Sequence, residues 1–227
     1  MKMIDRDETD VFRGFLKRIQ NEVFSEADSE LHISLIDRMV PKFVQFLPNR
    51  QVAILDVGCG QGYACVKFRG LGFENLTAIT LSPEDVHATR ERGIACYQMD
   101  MTFLKFDDKA FGALWVRHAL EHSPFPYLTL LEFNRVLKKD GFVYLEMPLP
   151  DTPRQLEFWP NHYSLFNEKM WVSLFGRSGF KALASTRLEF SLQMTSINEG
   201  LPFLQSNLVF VLQKEREEIL MTPSIGS

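Results

Sequence analysis

The chain has 227 residues and a mass of 26.3 kDa, enough for one sizeable α/β unit without demanding a second. Apolar residues make up 45% and charged residues 24%, which excludes a disordered chain. The formal charge of −4 argues against a phosphate-backbone footprint and against docking on an anionic membrane, because both need a net basic face. No apolar run approaches the roughly 20 residues of a membrane span. The charged stretch Met1 to Asp10 lacks the apolar core of a signal peptide. Cys59, Cys65 and Cys96 fit no zinc or Cys-x-x-Cys spacing, so they are expected as buried small hydrophobes in a reducing, cytoplasmic compartment, with no metal site.

In chain order, Phe12, Phe15, Leu16 and Ile19 recur at helical spacing, and Leu31, Leu35, Ile36, Met39 and Val40 do so again before Pro41, which is expected to end or kink that helix. Lys42 to Leu47 adds a short apolar turn. Val52 to Leu55 reads as a buried parallel strand, followed by a glycine loop and a helical stretch from Tyr63 to Leu71. A second unit starts with the strand Leu76–Leu81. Ser82-Pro83-Glu84-Asp85 opens its helix with a cap, a first-position proline and two acids that complement the dipole. Gly93 ends that helix, and Ala95 to Gln98 forms a third strand.

Phe111 to Val116 is a fourth strand, Pro126 to Lys138 an amphipathic helix, and Phe142 to Met147 a fifth strand after an Asp140-Gly141 turn. A proline-punctuated loop, a helix from about Asn167 to Arg177, and strands near Ala184–Leu192 and Leu208–Gln213 complete the pattern. Such alternation implies a parallel sheet with helices on both faces.

The informative segment is Ile54-Leu55-Asp56-Val57-Gly58-Cys59-Gly60-Gln61-Gly62. Its glycines let the backbone turn sharply and approach a ligand where a strand gives way to a helix N-terminus. The dinucleotide fingerprint wants a sixth-position glycine, where this chain has Tyr63.

An acid at the strand end followed by Gly-x-Gly-x-Gly instead resembles motif I of the class I S-adenosylmethionine-dependent methyltransferases. The resemblance continues through Ser82-Pro83-Glu84 after strand two, Gln98-Met99-Asp100-Met101, and His118-Ala119-Leu120-Glu121-His122. It extends to Arg135-Val136-Leu137-Lys138 with Asp140-Gly141-Phe142, to His162-Tyr163-Ser164-Leu165-Phe166 and to Ser178-Gly179-Phe180. The chain departs from the family pattern twice: Thr80 stands where an acid usually binds the ribose, and Gly112 follows Phe111 where Phe-Asp is usual.

The resemblance implies a Rossmann-like, seven-stranded, mostly parallel sheet with an antiparallel last strand. One domain spans residues 1–227: a helical cap over 1–50, a cofactor-binding half over 51–150, and a substrate-side segment over 151–227. It also implies S-adenosyl-L-methionine as cofactor, held by Asp56, Gly58, Cys59, Gly60, Thr80, Leu81, Asp100, Met101 and His118. Asp100 would meet the adenine amino group, with an apolar neighbour packing on the ring.

Methyl transfer to an oxygen needs a base within reach, and His122 and His162 are the candidates. Phe125, Phe158, Trp159, Tyr163 and Phe166 gather in loops over the same edge, which suggests a partly apolar pocket for a small-molecule acceptor. The chain carries no Asn/Asp-Pro-Pro-Tyr/Phe motif for amino-group methylation and no Pro-Cys pair, so a nucleic-acid acceptor is not expected. The acceptor atom and the oligomeric state stay open. So do two other classes, a cofactor-binding module without catalysis and a dinucleotide-dependent oxidoreductase.

Overall fold

The structure is a computed structural model that describes residues 7–20, 23, 29–193 and 202–217. Residues 1–6 of the charged N-terminal stretch lie outside the described residues. So do 21–22 and 24–28 of the expected helical cap, and 194–201 and 218–227 of the expected substrate-side segment.

Two helices, α1 (Glu8–Gln20) and α2 (Glu30–Phe43), precede β1 (Ile54–Val57), α3 (Tyr63–Gly70), β2 (Leu76–Thr80), α4 (Pro83–Glu91) and β3 (Ala95–Gln98). Then follow β4 (Phe111–Arg117), α5 (Pro126–Val136), β5 (Leu137–Pro148), α6 (Glu168–Arg177), β6 (Phe180–Gln193) and β7 (Pro202–Lys214). The sheet has seven strands in the order β3-β2-β1-β4-β5-β7-β6. β1 to β5 run parallel, and β7 lies antiparallel between β5 and β6. The strand order reverses between β1 and β4, and open α/β sheets place their ligand crevice at that point.

Local chemistry explains the element ends. Ser82 caps α4, its hydroxyl accepting from the Asp85 amide at 3.2 Å, with Pro83 at the first helical position. Gly93, at φ 74°, takes the left-handed turn past the C-terminus of α4. Asn167 caps α6 through the Met170 amide at 3.0 Å.

Strand alternation sorts side chains onto two faces. Leu55, Val57, Leu114, Val116 and Leu145 pack with Phe133, Trp171 and Phe175 of α5 and α6. Ile54, Ala113, Trp115 and Tyr144 pack with Phe43 and Phe68 of α2 and α3. On that second face Trp115 and Tyr144, register partners on β4 and β5, stack at 3.9 Å and 7°. Such a pair adds about 1 kcal/mol beyond its buried area.

Three expectations about boundaries change. α2 runs two residues past Pro41, which sits in the last turn and removes only one intrahelical hydrogen bond. Buried Val40 and Phe43 hold that turn on the sheet. β5 begins at Leu137, not Phe142: the Asp140-Gly141 pair, with Asp140 at φ 58°, lies inside the strand next to a register shift opposite Gly112. β6 and β7 form a hairpin longer than either expected strand.

Candidate active site

The loop after β1 is shaped by three glycines in the left-handed region, Gly58 at φ 69°, Gly60 at 49° and Gly62 at 82°. Gly58 and Cys59 both donate their amides to the Ile79 carbonyl of β2, at 2.9 and 3.0 Å. A Cβ on Gly58 would come within 2.7 Å of the Ala119 Cβ, and one on Gly62 within 2.8 Å of Thr89 Cγ2. The loop therefore lies tight between the segment after β4 and α4, with Gly58 exposed and Gly60 buried. Asp56 is 2% exposed at the end of β1, and its Oδ2 accepts from the Cys65 thiol of α3 at 3.4 Å. Its carboxylate braces the loop against the helix that follows.

All three cysteines are buried and free. Cys59 turns its sulfur inward, 3.7 Å from Cys96 Sγ and 3.7 Å from Thr89 Oγ1, so only its backbone faces the loop surface. Burial pushes the Cys65 thiol well up.

At the end of β2, Thr80 is buried and its hydroxyl accepts from the Ser82 amide at 3.2 Å, while Leu81 is half-buried. Asp100 follows β3 in a local turn, its Oδ1 accepting from the Thr102 amide at 2.8 Å. Its neighbour Met101 packs against the core beneath.

The end of β4 carries the densest polar chemistry. His118 has φ 49° and bridges the strands: Nδ1 lies 3.2 Å from Glu121 Oε1 and Nε2 2.9 Å from Asn207 Nδ2 on β7. Burial disfavours the charged ring, but hydrogen bonds to Glu121 and Glu146 outweigh it and raise the His118 pKa. Glu146 of β5 accepts from Tyr144 Oη at 2.7 Å and from Asn207 Nδ2 at 2.8 Å. Arg117 Nε lies 3.3 Å from its Oε2. Burial pushes the Glu146 carboxyl up, yet Arg117 and His118 pull it down to about 2. Arg117 itself keeps Nε and Nη2 buried without a hydrogen-bond partner.

Glu121, 1% exposed, sits in a 3-10 turn at Leu120–His122. Burial acts to raise its pKa, but the His118 hydrogen bond prevails and the carboxyl stays below its ordinary value. His122 Nδ1 is 2.9 Å from the Asn161 carbonyl, and His162 Nδ1 is 2.8 Å from the Leu156 carbonyl. The two rings meet edge to face at 4.8 Å. Ser164 ties the His162 loop to the β4 side, accepting no ring but donating its amide to Glu121 O at 3.0 Å and its hydroxyl to Ser123 O at 2.6 Å. Burial lowers the His162 pKa and favours the neutral ring.

Above this edge α1 lays Phe12 and Phe15 on Phe125, at 5.7 and 5.5 Å, and Phe12 also meets Phe103 at 6.3 Å. The α2 residue His32 stacks on His118 at 6.2 Å. The aromatic gathering is only partly as expected. Phe125 joins this roof, but Phe166 packs on Trp171, and Phe158, Trp159 and Tyr163 are 75%, 43% and 38% exposed.

The fold thus brings His118 to His122 and His162, and the β1 loop to Ala119, while the Asp100 carboxylate and the Cys59 sulfur are engaged elsewhere. Sequence reasoning passed over Arg117, Glu121, Glu146 and Asn207 as site residues. A signal existed for two of them: Arg117 ends an otherwise apolar, fully buried strand, and Glu146 stands in the buried run Tyr144–Pro148 of β5.

A family profile described as a methyltransferase domain matches residues 55–145, from inside β1 to inside β5. Over 98 residues the chain is 34% identical to the malonyl-[acyl-carrier protein] O-methyltransferase of Erwinia pyrifoliae, covering 42% of this chain and 37% of that protein. Over 118 residues it is 30% identical to the tRNA U34 carboxymethyltransferase of Cellvibrio japonicus, covering 48% and 36%. The matched stretches therefore span little more than a third of these relatives' own length. Among solved structures, a SAM-dependent methyltransferase from Methanosarcina mazei superposes with a TM-score of 0.61 at 18% identity, over 78% of this chain and 98% of that one, a likeness of fold. Residues 55–145 thus match a methyltransferase domain, and the solved S-adenosylmethionine-dependent methyltransferase shares the chain's fold.

Proposed function

We propose that the chain transfers a methyl group from S-adenosylmethionine to a small, partly apolar acceptor. The observation that carries this reading is the meeting of the Gly58 loop with Ala119 at the β1/β4 crevice, one turn before the His122–His162 pair. The residues present fit the cofactor: a left-handed glycine loop, packed tight on Ala119 and Thr89 with Gly58 exposed, stands at the place where such sheets take adenosine-bearing ligands. Gly58, Cys59 and Gly60 contribute backbone, Asp56 holds the loop's shape, and Thr80 offers a hydroxyl, where a carboxylate is usual, to the ribose. Leu81 and Met101 flank the base, and Asp100 reaches it only by sharing a carboxylate already engaged at Thr102.

When bound, the cofactor supplies an activated methyl group for in-line displacement, and the chain supplies approach and proton handling. His118, locked by Glu121, Glu146 and Asn207, orients the β4 end. With Nδ1–H donated to a backbone carbonyl, each of His122 and His162 presents Nε2 toward an acceptor, and the lowered pKa keeps His162 in the neutral form a base requires. Phe12, Phe15 and Phe125 support exclusion of water from that edge.

A tRNA acceptor is the competing reading, favoured by the Cellvibrio relative and disfavoured by the net charge of −4. No helix among the described residues is long and apolar enough to cross a membrane, and three buried thiols suit a reducing compartment such as the cytoplasm. Packing of α2 on Trp115 and Tyr144 supports treating cap and sheet as one domain.

Labelled S-adenosylmethionine incubated with pooled small metabolites and, separately, with total tRNA tests the reading. Label in the small-molecule arm is the expected result. Label in tRNA alone overturns the acceptor class. Cofactor binding by calorimetry with no labelled product in either arm favours a binding module. Asp56→Ala should abolish that binding, and unchanged affinity would count against the cofactor assignment.

A further inference from the structure

Glu121, His122 and His162 converge on one point although His162 is remote in sequence. A carboxylate oxygen of Glu121 and one ring nitrogen from each histidine lie within 4.8 Å of one another. Both rings are oriented from behind, His122 Nδ1 by the Asn161 carbonyl and His162 Nδ1 by the Leu156 carbonyl. A carbonyl can only accept, so Nδ1 carries the proton and Nε2 the lone pair. A backbone acceptor behind Nδ1 is how proteins fix the tautomer and angle of metal-ligating imidazoles.

The third donor supplies an independent observation. Glu121 is 1% exposed; its Oε1 faces His118, but its Oε2 is buried with no hydrogen-bond partner. A buried carboxylate oxygen left unpaired is costly, and a cation beside it would remove that cost. We infer that Glu121, His122 and His162 form a binding site for a divalent transition-metal ion.

Two imidazoles and one carboxylate suit zinc and its first-row neighbours. Magnesium and calcium prefer all-oxygen shells. A tetrahedral ion with bonds of about 2.1 Å spaces its ligands about 3.4 Å apart, so the widest pair must close by up to about 1.4 Å. His162, half-buried on the loop between β5 and α6, can supply that movement. Three protein ligands leave a coordination position for water or for an acceptor oxygen, whose pKa the ion would lower. The site stands on three side chains and needs neither cofactor nor acceptor; only its part in methyl transfer rests on the function proposed above. With the ion bound, the Nε2 lone pairs would be committed to it, and the proton of a coordinated acceptor hydroxyl, made more acidic by the ion, would pass to solvent water and not to imidazole.

The test titrates chelator-stripped full-length protein with Co²⁺, read by visible absorption, and with Zn²⁺, read by calorimetry and by displacement of cobalt. One ion per chain is expected. H162A and E121Q should each weaken binding at least about tenfold, whereas H87A, on the exposed face of α4, should leave it unchanged. Circular dichroism checks the fold, and if E121Q does not fold the H162A comparison decides. Absence of stoichiometric binding, or H162A binding zinc as tightly as the parent, overturns the site. Metal-free protein that still methylates at full rate overturns the ion's role in catalysis and leaves the imidazole-base reading standing. Metal binding without methyl transfer in any arm keeps the site and overturns the proposed function.

Discussion

Gly58 and Ala119 touch across the crevice between β1 and β4, so closely that a Cβ on Gly58 would lie 2.7 Å from the Ala119 Cβ. Gly58 also sits at φ 69°, where an L side chain is strained. Both effects act on one small substitution. G58A should destabilise the chain by about 1–3 kcal/mol and weaken S-adenosylmethionine binding by more than tenfold, because relief of the contact must move either the loop or the β4 end. Calorimetry on the folded variant reads the second effect. Full-affinity binding by G58A would mean that the cofactor does not depend on this loop.

Gly112, the second departure from the family pattern, has a packing cause. A Cβ there would lie 2.3 Å from Val52 Cγ2, and the Gly112 and Ala113 amides both donate to the Ala53 carbonyl at 2.9 and 3.1 Å. The chain just before β1 runs alongside the start of β4 at this point. G112A should cost about 1–3 kcal/mol in denaturant unfolding, and the double variant G112A/V52A should recover part of that loss. Equal stabilities for the parent and G112A would show that Val52 yields freely.

Much of this was legible from residue order. Apolar runs ending in glycine gave β1 and its loop, Ser82-Pro83 gave the start of α4, and the stretch from about Asn167 to Arg177 gave α6, because each signal is local. The Asp140-Gly141 pair misled for the same reason: it spells a turn, but the strand pairs with β4 on both sides of it, at Leu137 and at Phe142. The polar network at the site was the least legible part. His118 meets Asn207 across 89 positions and Glu146 meets Asn207 across 61, distances that only strand order closes. Glu121 was visible within its motif, but nothing local marks an acid whose Oε2 is buried and unpaired.

Glu146 makes the stability of this network depend on acid. Its carboxyl titrates at about 2, below the ordinary 4.5, so the folded state favours the ionised form. That contribution is fully present above about pH 4.5 and is lost as the pH falls toward 2. By linkage it is on the order of 3 kcal/mol. Unfolding free energy measured from pH 7 to pH 2 should fall more steeply for the parent than for E146Q below pH 4.5. E146Q itself should be less stable at pH 7, since Arg117 then keeps a buried charge without its partner. Parallel pH curves for the two proteins would exclude Glu146 as the source.

Lys214, at the end of β7, is 1% exposed, an exacting place for a lysine side chain outside the site. Its Nζ donates to the Asn134 carbonyl at 2.7 Å, the Leu137 carbonyl at 2.9 Å and Glu217 Oε2 at 2.9 Å. Two of these acceptors lie where α5 ends and β5 begins, so a cation there both satisfies terminal carbonyls and complements the helix dipole. Asn134 adds to the junction by donating its Nδ2 to the Ser178 and Arg216 carbonyls, both at 3.0 Å. K214M keeps the length and apolar stem but removes the Lys214 donor from both carbonyls. It should cost about 2–4 kcal/mol, a fall in Tm on the order of 5–10 °C. K169M, on the exposed side of α6, should change Tm little. Cofactor affinity of folded K214M should match the parent, because this junction lies at the opposite end of β5 from Glu146 and Pro148. A K214M protein as stable as the parent would mean that water reaches those carbonyls and that the lysine is dispensable.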